Sequence, residues 1–522
     1  MQITQNRLII FASLFIVLFD NLSFFNNVFK TYPLNIENIG FIFSLGIVIY
    51  ALTVIMLSMV SFKMTIKPMV IFALISSSLI NYFMQSYNIV IDKTMIANIM
   101  QTDSAETLDL MSIKLFGYFF ILGLVPSYLV YRTSLISRPL KTEFSARIKT
   151  LLLHLVLIAV VLFSFSKFYA SFFREHRELR LYTNPITAIY NVVAFTYEQV
   201  WTIDKTVKPL GRDAKIEPHA KRKIIVMVVG EAARADHFSL NGYARETNPL
   251  LKQEDIINFP QMYSCGTSTA ESVPCMFSYF GRSNYNTDKG LYTENVLDIL
   301  THAGVNIIWR DNNSNSKGVA DRIDYISYKT PQTNTMCEGE CRDEGMLVGL
   351  EKMIGQDNND LLIVLHQMGN HGPAYYKRYP KSFEQYTPVC QTSQLETCSQ
   401  ESIQNAYDNA ILYTDYFLSK VIALLKNYQE NADTAMIYMA DHGESLGEHG
   451  VYLHGLPYFM APDEQKHIGA IMWFGKDFPI DKKILEKKAG NTYTHDNLFS
   501  TLLGLFNVQT EVYDKKLDIL SQ

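Results

Sequence analysis

Residues 435–454 read AMIYMADHGESLGEHGVYLH, an apolar stretch followed directly by a run of polar side chains. The first six residues have the length and composition of a buried β-strand. The next fourteen include three histidines, one aspartate and two glutamates, all of which can bind metal ions. A strand that ends in such residues predicts a site at the edge of a sheet.

Other apolar stretches of strand length occur between residues 223 and 475. With the first one they are Ile224–Val229, Asn306–Trp309, Leu361–Leu365, Ala435–Met439 and Ala470–Phe474. Unbroken stretches of this kind are typical of parallel strands buried on both faces, with helices between them. The pattern predicts an α/β domain with a mostly parallel sheet between helix layers, and ligands of such sheets bind at the carboxyl ends of the strands.

Polar residues follow four of these strands and should therefore gather at one edge. They are Glu231; Asp311, Asn313 and Lys317; Asn370 and His371; and Asp441, His442 and His454. The mixed oxygen and nitrogen ligands of Glu231, Asp441 and His442 suit Zn²⁺, with a fourth position left for a nucleophile. Mn²⁺ also accepts these ligand types, whereas Ca²⁺ prefers more oxygen ligands.

A candidate nucleophile lies in SCGTSTAESVPC, residues 264–275, whose hydroxyls are Ser264, Thr267, Ser268, Thr269 and Ser272. The residues after Thr269 are typical of a helix start, with a glutamate and a proline in the first turn. A hydroxyl there meets unpaired backbone N–H groups, and a nearby metal ion would lower its pKa further. The alternative is a helix N-cap hydroxyl with no catalytic role.

The N-terminal part of the chain differs in composition, because residues 1–172 carry few charges and long apolar stretches. Five of them approach the length of about 20 residues that crosses a bilayer. They are Leu8–Phe29, Ile39–Phe62, Met69–Tyr87, Leu115–Tyr131 and Thr150–Tyr169. Buried helices of a soluble protein are the alternative. Asp20 and Asn21 interrupt the first span, and a carboxylate at that depth should face neighbouring helices or a water-filled cleft.

Lysine and arginine in the connecting segments predict the orientation of these spans. With a cytoplasmic N-terminus, eight such residues lie in the cytoplasmic pieces and three in the outer ones. The positive-inside rule therefore places the N-terminus in the cytoplasm and residues 173–522 outside it. Residues 173–222 read as interfacial helices and a linker, and residues 223–522 as the α/β domain.

The six cysteines lie beyond residue 260 and fall into close pairs, Cys265–Cys275, Cys337–Cys341 and Cys390–Cys398. An even number, paired locally and absent from the membrane half, predicts three disulfides in an oxidising compartment. A zinc knuckle at Cys337 and Cys341 is the alternative, but no second Cys/His pair lies at a suitable distance. The net charge of −5 gives no reason to expect a nucleic acid partner.

Long motifs resemble those of the phosphoethanolamine transferases of Gram-negative bacteria, closest to the lipid A-modifying branch that includes the mobile colistin-resistance enzymes. They are GEAARADH, SCGTSTAESVPCMFSYFGR, WRDNNSNSKG, HQMGNHGPAYYKRYP and ADHGESLGEHGVYLHG, from residues 230, 264, 309, 366 and 440. The resemblance covers nearly the whole chain. It implies a five-helix transmembrane domain and a periplasmic α/β domain of the alkaline phosphatase/sulfatase type.

The resemblance also implies roles for individual residues. Thr269 is the nucleophile and, with Glu231, Asp441 and His442, holds one tightly bound Zn²⁺. His371 and His454 contact the phosphoryl group or a second Zn²⁺. Asn313, Ser314 and Lys317 bind the phosphate of the donor. Asn98, Thr102 and Glu106, spaced four apart on one predicted helix face, contribute to binding of the ethanolamine headgroup.

The activity that the resemblance implies is transfer of phosphoethanolamine from phosphatidylethanolamine to a lipid A phosphate through a phospho-threonine. The product carries less negative charge, so resistance to polymyxins and colistin should follow. We expect a monomer in the bacterial inner membrane. Alternatives are transfer to a core sugar or another periplasmic glycan, a phosphoglycerol transferase or phosphodiesterase on the same fold, and a non-catalytic membrane sensor.

Overall fold

The computed structural model describes residues 2–102, 104–197 and 205–521. The chain divides into two compact units. The N-terminal unit consists of Met1–Ile96 and Met111–Trp201, and the C-terminal unit of Ala97–Leu110 and Thr202–Gln522. The short segment 97–110, although it lies between two apolar helices in sequence, therefore belongs to the C-terminal unit.

Four helices of the N-terminal unit are long and apolar enough to cross a membrane. They are α3 (Ile36–Val60), α4 (Ile66–Tyr87), α7 (Ile113–Arg132) and α8 (Leu140–Ser164). Helices α1 (Gln5–Phe19) and α2 (Leu22–Thr31) form a pair bent by 52° that passes the same test together. The described residues thus hold four apolar spans, or five if the bent pair is one span.

The bend between α1 and α2 falls at Asp20 and Asn21, the two residues that interrupt the first apolar stretch. The Asn21 side chain donates to the carbonyl of Ile16 at 3.1 Å, and Asn184 donates to the carbonyl of Asp20 at 2.8 Å. The backbone N–H of Asp20 still donates to the carbonyl of Ile16, so these side chains add hydrogen bonds to carbonyls at the point where the helix breaks. The predicted span Leu8–Phe29 is therefore two helices.

The last long helix begins earlier than the sequence predicts. We expected a span over Thr150–Tyr169, but α8 begins at Leu140 and ends at Ser164, where Phe165 separates it from α9 (Ser166–Glu175). Its charged first turns are stabilised within the unit, since Arg147 donates to the carbonyl of Ser58 at 3.2 Å and to Gln5 at 2.9 Å. Charged residues lower the mean hydropathy of this stretch, so a prediction from hydropathy omits them although they are part of the helix.

Shorter helices follow α8 in the stretch expected to lie at the membrane surface. After α9 come a 3₁₀ segment, Arg177–Tyr182, and α10 (Ile186–Tyr197). Segment 97–110 contains the end of α5 (Lys93–Gln101) and all of α6 (Ser104–Asp109).

The prediction of one continuous helix face through Asn98, Thr102 and Glu106 is wrong, because α5 ends at Gln101. The Thr102 hydroxyl donates to the carbonyl of Asn98 at 2.8 Å. A threonine side chain that bonds the carbonyl four residues back competes with the helical backbone at that position.

A seven-stranded sheet forms the centre of the C-terminal unit. In chain order its strands are β1 (Lys223–Gly230), β2 (Ile256–Asn258), β3 (Asn306–Asp311), β4 (Asp324–Ser327), β5 (Leu361–His366), β6 (Asp433–Ala440) and β7 (Ala470–Phe474). Their order across the sheet is β2-β7-β6-β1-β5-β3-β4. Strands β6, β1, β5, β3 and β4 are parallel, and β7 pairs antiparallel with both β6 and β2.

All five predicted strands are in this sheet. Strands β1, β5 and β6 are buried along their whole length, as expected for central strands covered on both faces. The sequence did not predict the edge strands β2 and β4, which are short and only partly buried.

The sheet is accompanied by helices that complete the core. They are α11 (Thr269–Met276), α12 (Gly281–Asn284), α13 (Thr287–Leu291), α14 (Val296–His302), α15 (Leu350–Gln356), α16 (Gln400–Lys426), α17 (Lys482–Lys488) and α18 (Leu498–Leu505). The 27-residue α16 packs against the sheet through a long buried face. This arrangement leaves the carboxyl ends of β1, β3, β5 and β6 at one edge, where the polar residues follow.

Candidate active site

Glu231, Asp441 and His442 form a buried cluster at the ends of β1 and β6. The two strands pair in register up to Gly230 opposite Ala440, so the next residue of each strand is a carboxylate. His442 Nε2 lies 3.3 Å from Glu231 Oε1 and 3.5 Å from Asp441 Oδ2. Gly369 lies against Glu231, where a side chain would meet the Glu231 carbonyl at 2.9 Å. Backbone packing thus holds Glu231 in place.

Thr269 completes the cluster from the first position of α11. Its hydroxyl donates to Glu231 Oε2 at 3.1 Å, and its Oγ1 lies 3.4 Å from His442 Nε2. The other candidate hydroxyls do not make these contacts. Ser264, Thr267 and Ser272 donate to the carbonyls of Gly266, Leu456 and Asp441, respectively. Ser268 is the N-cap residue, but its side chain makes no capping hydrogen bond.

The three predicted disulfides, Cys265–Cys275, Cys337–Cys341 and Cys390–Cys398, are all formed. The first spans the turn that carries Thr269 and the helix that follows it. His495 supports the same turn, because its Nδ1 accepts the backbone N–H of Cys265 at 3.0 Å. Covalent and hydrogen-bonded support on both sides fixes the start of α11.

The cluster has the properties of a metal site. One oxygen each of Glu231 and Asp441 is buried without a hydrogen-bond donor among the described residues. Ligand atoms of Glu231, Asp441 and His442 all lie within 4.8 Å of one another. Two buried carboxylates with one imidazole leave a negative charge that a cation would balance. The residues present therefore fit a divalent ion with mixed oxygen and nitrogen ligands.

The pKa values of these side chains show the same shortage of positive charge. Burial disfavours the imidazolium of His442, but the carboxylates of Asp441 and Glu231 outweigh burial and raise its pKa to about 10. Burial and the charge of Glu231 raise the pKa of Asp441 to about 6. A proton on His442 thus provides the positive charge that a metal ion would otherwise supply.

A second group of possible metal ligands shares His442 and adds Glu444 and His454, again with ligand atoms within 4.8 Å of one another. His454 Nδ1 lies 2.9 Å from Glu444 Oε2, and the Tyr375 hydroxyl donates to the other Glu444 oxygen at 3.0 Å. The rings of His442 and His454 are 4.2 Å apart. Glu444 was not among the predicted site residues, although it lies two positions after His442 in the opening motif.

His371 lies next to this group, with its ring centre 5.9 Å from that of His454. Its Nε2 is 3.8 Å from Glu106 Oε1. Burial lowers the pKa of His371 to about 3, so this ring is neutral at physiological pH. Glu106 thus lies close to the histidines. Asn98 and Thr102 instead form a hydrogen bond with each other, from the Thr102 hydroxyl to the Asn98 carbonyl.

Asn313, Ser314 and Lys317 lie on the loop after β3. Asn313 donates to Glu231 Oε2 at 2.8 Å, which ties the loop to the carboxylate cluster. Lys317 Nζ donates to the carbonyl and hydroxyl of Ser314, at 3.0 and 2.7 Å. Burial lowers the pKa of Lys317, while Glu106 and Glu231 counteract part of that effect. A cavity of about 710 Å³ opens beside Lys317 and Gln101.

Asp311 and Asn370, which were also predicted at the strand ends, are not part of the carboxylate cluster but make structural contacts. Asp311 lies 2.9 Å from His366 Nδ1 and accepts the indole N–H of Trp309 at 2.8 Å. Asn370 donates from its backbone to the carbonyl of Glu231 at 3.1 Å and from its side chain to that of Tyr407 at 3.3 Å. Both residues stabilise the loops around the site.

Comparison with known proteins identifies the family. The family model described as phosphoethanolamine transferase EptA/EptB matches residues 49–200, and the model described as Sulfatase matches residues 223–508. Phosphatidylethanolamine transferase Mcr-2 of Escherichia coli is 44% identical over 512 residues, covering 95% of this chain and 94% of that protein. The chain belongs to the phosphoethanolamine transferase family.

Other relatives of this transferase family agree with that assignment. Phosphoethanolamine transferase EptA of Escherichia coli K12 is 38% identical and covers 98% of this chain and 96% of its own length. The structure of the integral membrane lipooligosaccharide phosphoethanolamine transferase A from Neisseria meningitidis matches with a TM-score of 0.95 and 34% identity, covering 99% of this chain and 98% of that one. The match confirms an N-terminal membrane region of four to five apolar helices and a soluble domain of the alkaline phosphatase type.

A more distant relative gives information about the fold alone. The periplasmic domain of EptC from Escherichia coli, solved as a complex with Zn, has 22% identity, a TM-score of 0.50 and coverage of 60% of this chain and 90% of that one. It shares the fold of the C-terminal unit.

Proposed function

We propose that this transferase moves phosphoethanolamine from phosphatidylethanolamine to a phosphate of lipid A, through a phosphorylated Thr269, and thereby confers resistance to polymyxins such as colistin. The observation that supports this most directly is the position of the Thr269 hydroxyl. It lies at the start of α11 and within 3.1 and 3.4 Å of Glu231 and His442, respectively. The backbone N–H groups of a helix start favour negative charge on such an oxygen and on a phosphoryl group bound to it.

Glu231, Thr269, Asp441 and His442 are the residues that would hold one tightly bound Zn²⁺. His371 and His454 would contact the phosphoryl group or a second Zn²⁺. When bound, Zn²⁺ lowers the pKa of a coordinated hydroxyl and stabilises charge on phosphoryl oxygens. The unpartnered carboxylate oxygens and the raised pKa of His442 support the first of these sites.

Two displacements at phosphorus make up the proposed reaction. In the first, Thr269 Oγ1 bonds to phosphorus, the bond from phosphorus to the glycerol oxygen breaks, and the diacylglycerol oxygen takes up a proton. In the second, a lipid A phosphate oxygen bonds to phosphorus and the bond to Thr269 breaks, which returns the hydroxyl. Lys317, held by Ser314, offsets charge on the phosphoryl oxygens in both steps.

His371 and His454 are the candidate proton carriers, and the contacts of His454 favour it for this role. Its Nδ1 is held by Glu444, and Nε2 makes no hydrogen bond to the described residues. A carboxylate that accepts from Nδ1 fixes the tautomer in which Nε2 has a free lone pair. Such a histidine can take the Thr269 proton and deliver it to the departing oxygen.

Binding of the ethanolammonium group is proposed for Asn98, Thr102 and Glu106, with Asn313, Ser314 and Lys317 on the donor phosphate. Support comes from Glu106, a largely buried carboxylate in α6 beside His371. Its charge suits a primary ammonium.

The proposed topology places the protein in the bacterial inner membrane with residues 1–172 as the transmembrane domain and the N-terminus in the cytoplasm. Residues 173–222 then follow at the membrane surface, and residues 223–522 lie in the periplasm. The disulfides support an oxidising location for the last part. Both substrates are lipids, so attachment to the bilayer keeps their effective concentration high.

Mass spectrometry of lipid A from a susceptible host that expresses this chain tests the proposal. We expect a phosphoethanolamine mass increment that is lost with Thr269→Ala and kept with Ser268→Ala, the adjacent hydroxyl with no hydrogen-bond partner among the described residues. Unmodified lipid A with a modified core sugar would reject the proposed acceptor. An increment that persists in Thr269→Ala would reject the proposed nucleophile.

A further inference from the structure

One buried guanidinium, that of Arg378, connects three separate parts of the C-terminal unit. Its side chain is 3% exposed. Nη1 donates to both carboxylate oxygens of Glu340 at 2.6 Å, Nη2 donates to Asp109 Oδ2 at 3.0 Å, and Nε donates to the carbonyl of His371 at 2.6 Å. Charge-assisted bonds in this forked geometry are strong and directional. Arg378 therefore fixes the backbone of His371 relative to α6.

Asp109 is the point at which α6 is held. Besides Arg378, the neighbouring Lys377 forms an ion pair with the Asp109 carboxylate. Burial acts to raise the pKa of Asp109, but Lys377 and Arg378 outweigh it and hold the pKa below its usual value. Glu106 lies three residues earlier, on the same face of α6, where it comes within 3.8 Å of His371 Nε2. The position of Glu106 thus depends on the bonds made by Asp109.

Glu340 lies in a small ring that the Cys337–Cys341 disulfide closes. Its strands, Cys337–Glu338 and Glu340–Cys341, form a hairpin whose turn residue, Gly339, has a φ of +79°. The ring is anchored on its far side, since Asn312 donates to the carbonyl of Cys341 at 2.9 Å and Arg342 donates to that of Lys377 at 2.6 Å. The disulfide therefore presents Glu340 in a fixed orientation.

From these contacts we propose that Asp109, Arg378 and Glu340 are positioning residues for the lipid donor: they hold Glu106 beside His371, so that the carboxylate receives the ethanolammonium group. In this proposal all three act through Glu106 and do not themselves bind the substrate. The inference rests on the proposed function and assigns to the Cys337–Cys341 ring the task of orienting Arg378. Glu106 is 12% exposed, and a buried carboxylate keeps one orientation only if its helix is fixed.

Steady-state kinetics of the full-length protein in detergent tests this, with phosphatidylethanolamine that carries a fluorescent acyl chain as the donor. We expect Asp109→Asn and Glu340→Gln each to raise KM for the donor about tenfold and to change kcat less than about twofold. Asp109→Glu, which keeps the charge, should restore most of the donor affinity. The double variant Cys337→Ser/Cys341→Ser should change KM in the same direction, because it frees Glu340.

The matched control is Lys381→Gln, three residues after Arg378, where an exposed lysine forms an ion pair with Glu384. It should behave like the unchanged protein. Hydrogen exchange of segment 97–110 provides a second measurement, and we expect it to accelerate in Asp109→Asn and not in Lys381→Gln.

Equal KM values in Asp109→Asn, Glu340→Gln and the control would overturn the proposal. A fall in kcat and metal content with KM unchanged would also overturn it, since that result indicates a general structural role. Failure of the proposed function gives a different result. In that case Thr269→Ala remains active, and the positioning variants can still be compared with Lys381→Gln.

Discussion

His454 Nδ1 lies 2.9 Å from Glu444 Oε2, which leaves the other ring nitrogen of His454 for proton transfer or metal binding. Glu444 is fully buried, and Tyr375 donates to its second oxygen at 3.0 Å. A carboxylate in this position orients the imidazole and fixes which ring nitrogen faces the site.

We therefore predict that Glu444→Gln lowers kcat by about ten- to a hundredfold, in the range found for residues that support a ligand or base. The amide fits the same space but does not favour the tautomer with a proton on Nδ1. Turnover of the fluorescent donor measures the effect, and circular dichroism checks the fold. The prediction fails if kcat stays within about twofold of the unchanged protein.

Metal binding should release a proton. With its pKa raised to about 10 by Asp441 and Glu231, His442 is protonated at pH 7 when the metal is removed. A metal ion requires the neutral imidazole, so each binding event displaces that proton. At pH values below the pKa of His442, the apparent metal affinity therefore increases about tenfold for each unit by which the pH is raised. Calorimetric titration of the metal-stripped protein with Zn²⁺, in buffers of different ionisation enthalpy, measures the released proton. Heats that do not depend on the buffer would contradict the prediction.

The disulfide around Thr269 should matter more for activity than one of similar size elsewhere. Both Cys265–Cys275 and Cys390–Cys398 close short loops, with sequence separations of 10 and 8. Loss of either should destabilise the fold by about 2–3 kcal/mol, which thermal unfolding of the paired Cys→Ser variants measures.

Activity per folded molecule should fall only in Cys265→Ser/Cys275→Ser, because that bridge fixes the helix start that carries the nucleophile. Cys390→Ser/Cys398→Ser is the matched control. Equal activities of the two double variants, measured below both unfolding temperatures, would show that the turn holds Thr269 without its covalent link.

Much of the fold and the centre of the site could be predicted because the signals are local. The strands Ile224–Val229 and Ala435–Met439 are continuous apolar stretches, and Glu231 and Asp441 follow them at equal register. Parallel pairing then brings the carboxylates together without further information. The direction of Ala470–Phe474 could not be predicted, because a buried strand has the same composition in both directions.

Long-range contacts account for what the sequence did not show. The helix break after Gln101 is an exception, because the Thr102 hydroxyl bonds a carbonyl only four residues back. The start of α8 depends on partners for Arg147 that lie more than 80 residues away in sequence. The role of Arg378 was hidden for the same reason, since Asp109 is separated from it by 269 positions. Pattern and composition report the local environment, whereas these contacts exist only in the folded chain.

Lys317→Met should lower activity and at the same time raise stability. Burial lowers the pKa of Lys317, and nearby carboxylates compensate only in part, so the folded protein holds the ammonium less favourably than water does. Because the folded-state pKa lies below the unfolded value, the charged form costs stability at neutral pH. Methionine of similar length removes that cost, which we expect to add about 1 kcal/mol to the free energy of unfolding. The cation that offsets phosphoryl charge is lost, so kcat/KM should fall about a hundredfold.

Thermal unfolding and donor kinetics on the same preparation measure both effects. Lys466→Met, which replaces a lysine paired with exposed Asp463, serves as the control. If Lys317→Met unfolds at a lower temperature than the unchanged protein, the buried ammonium contributes to stability and the inferred balance between burial and charge is wrong.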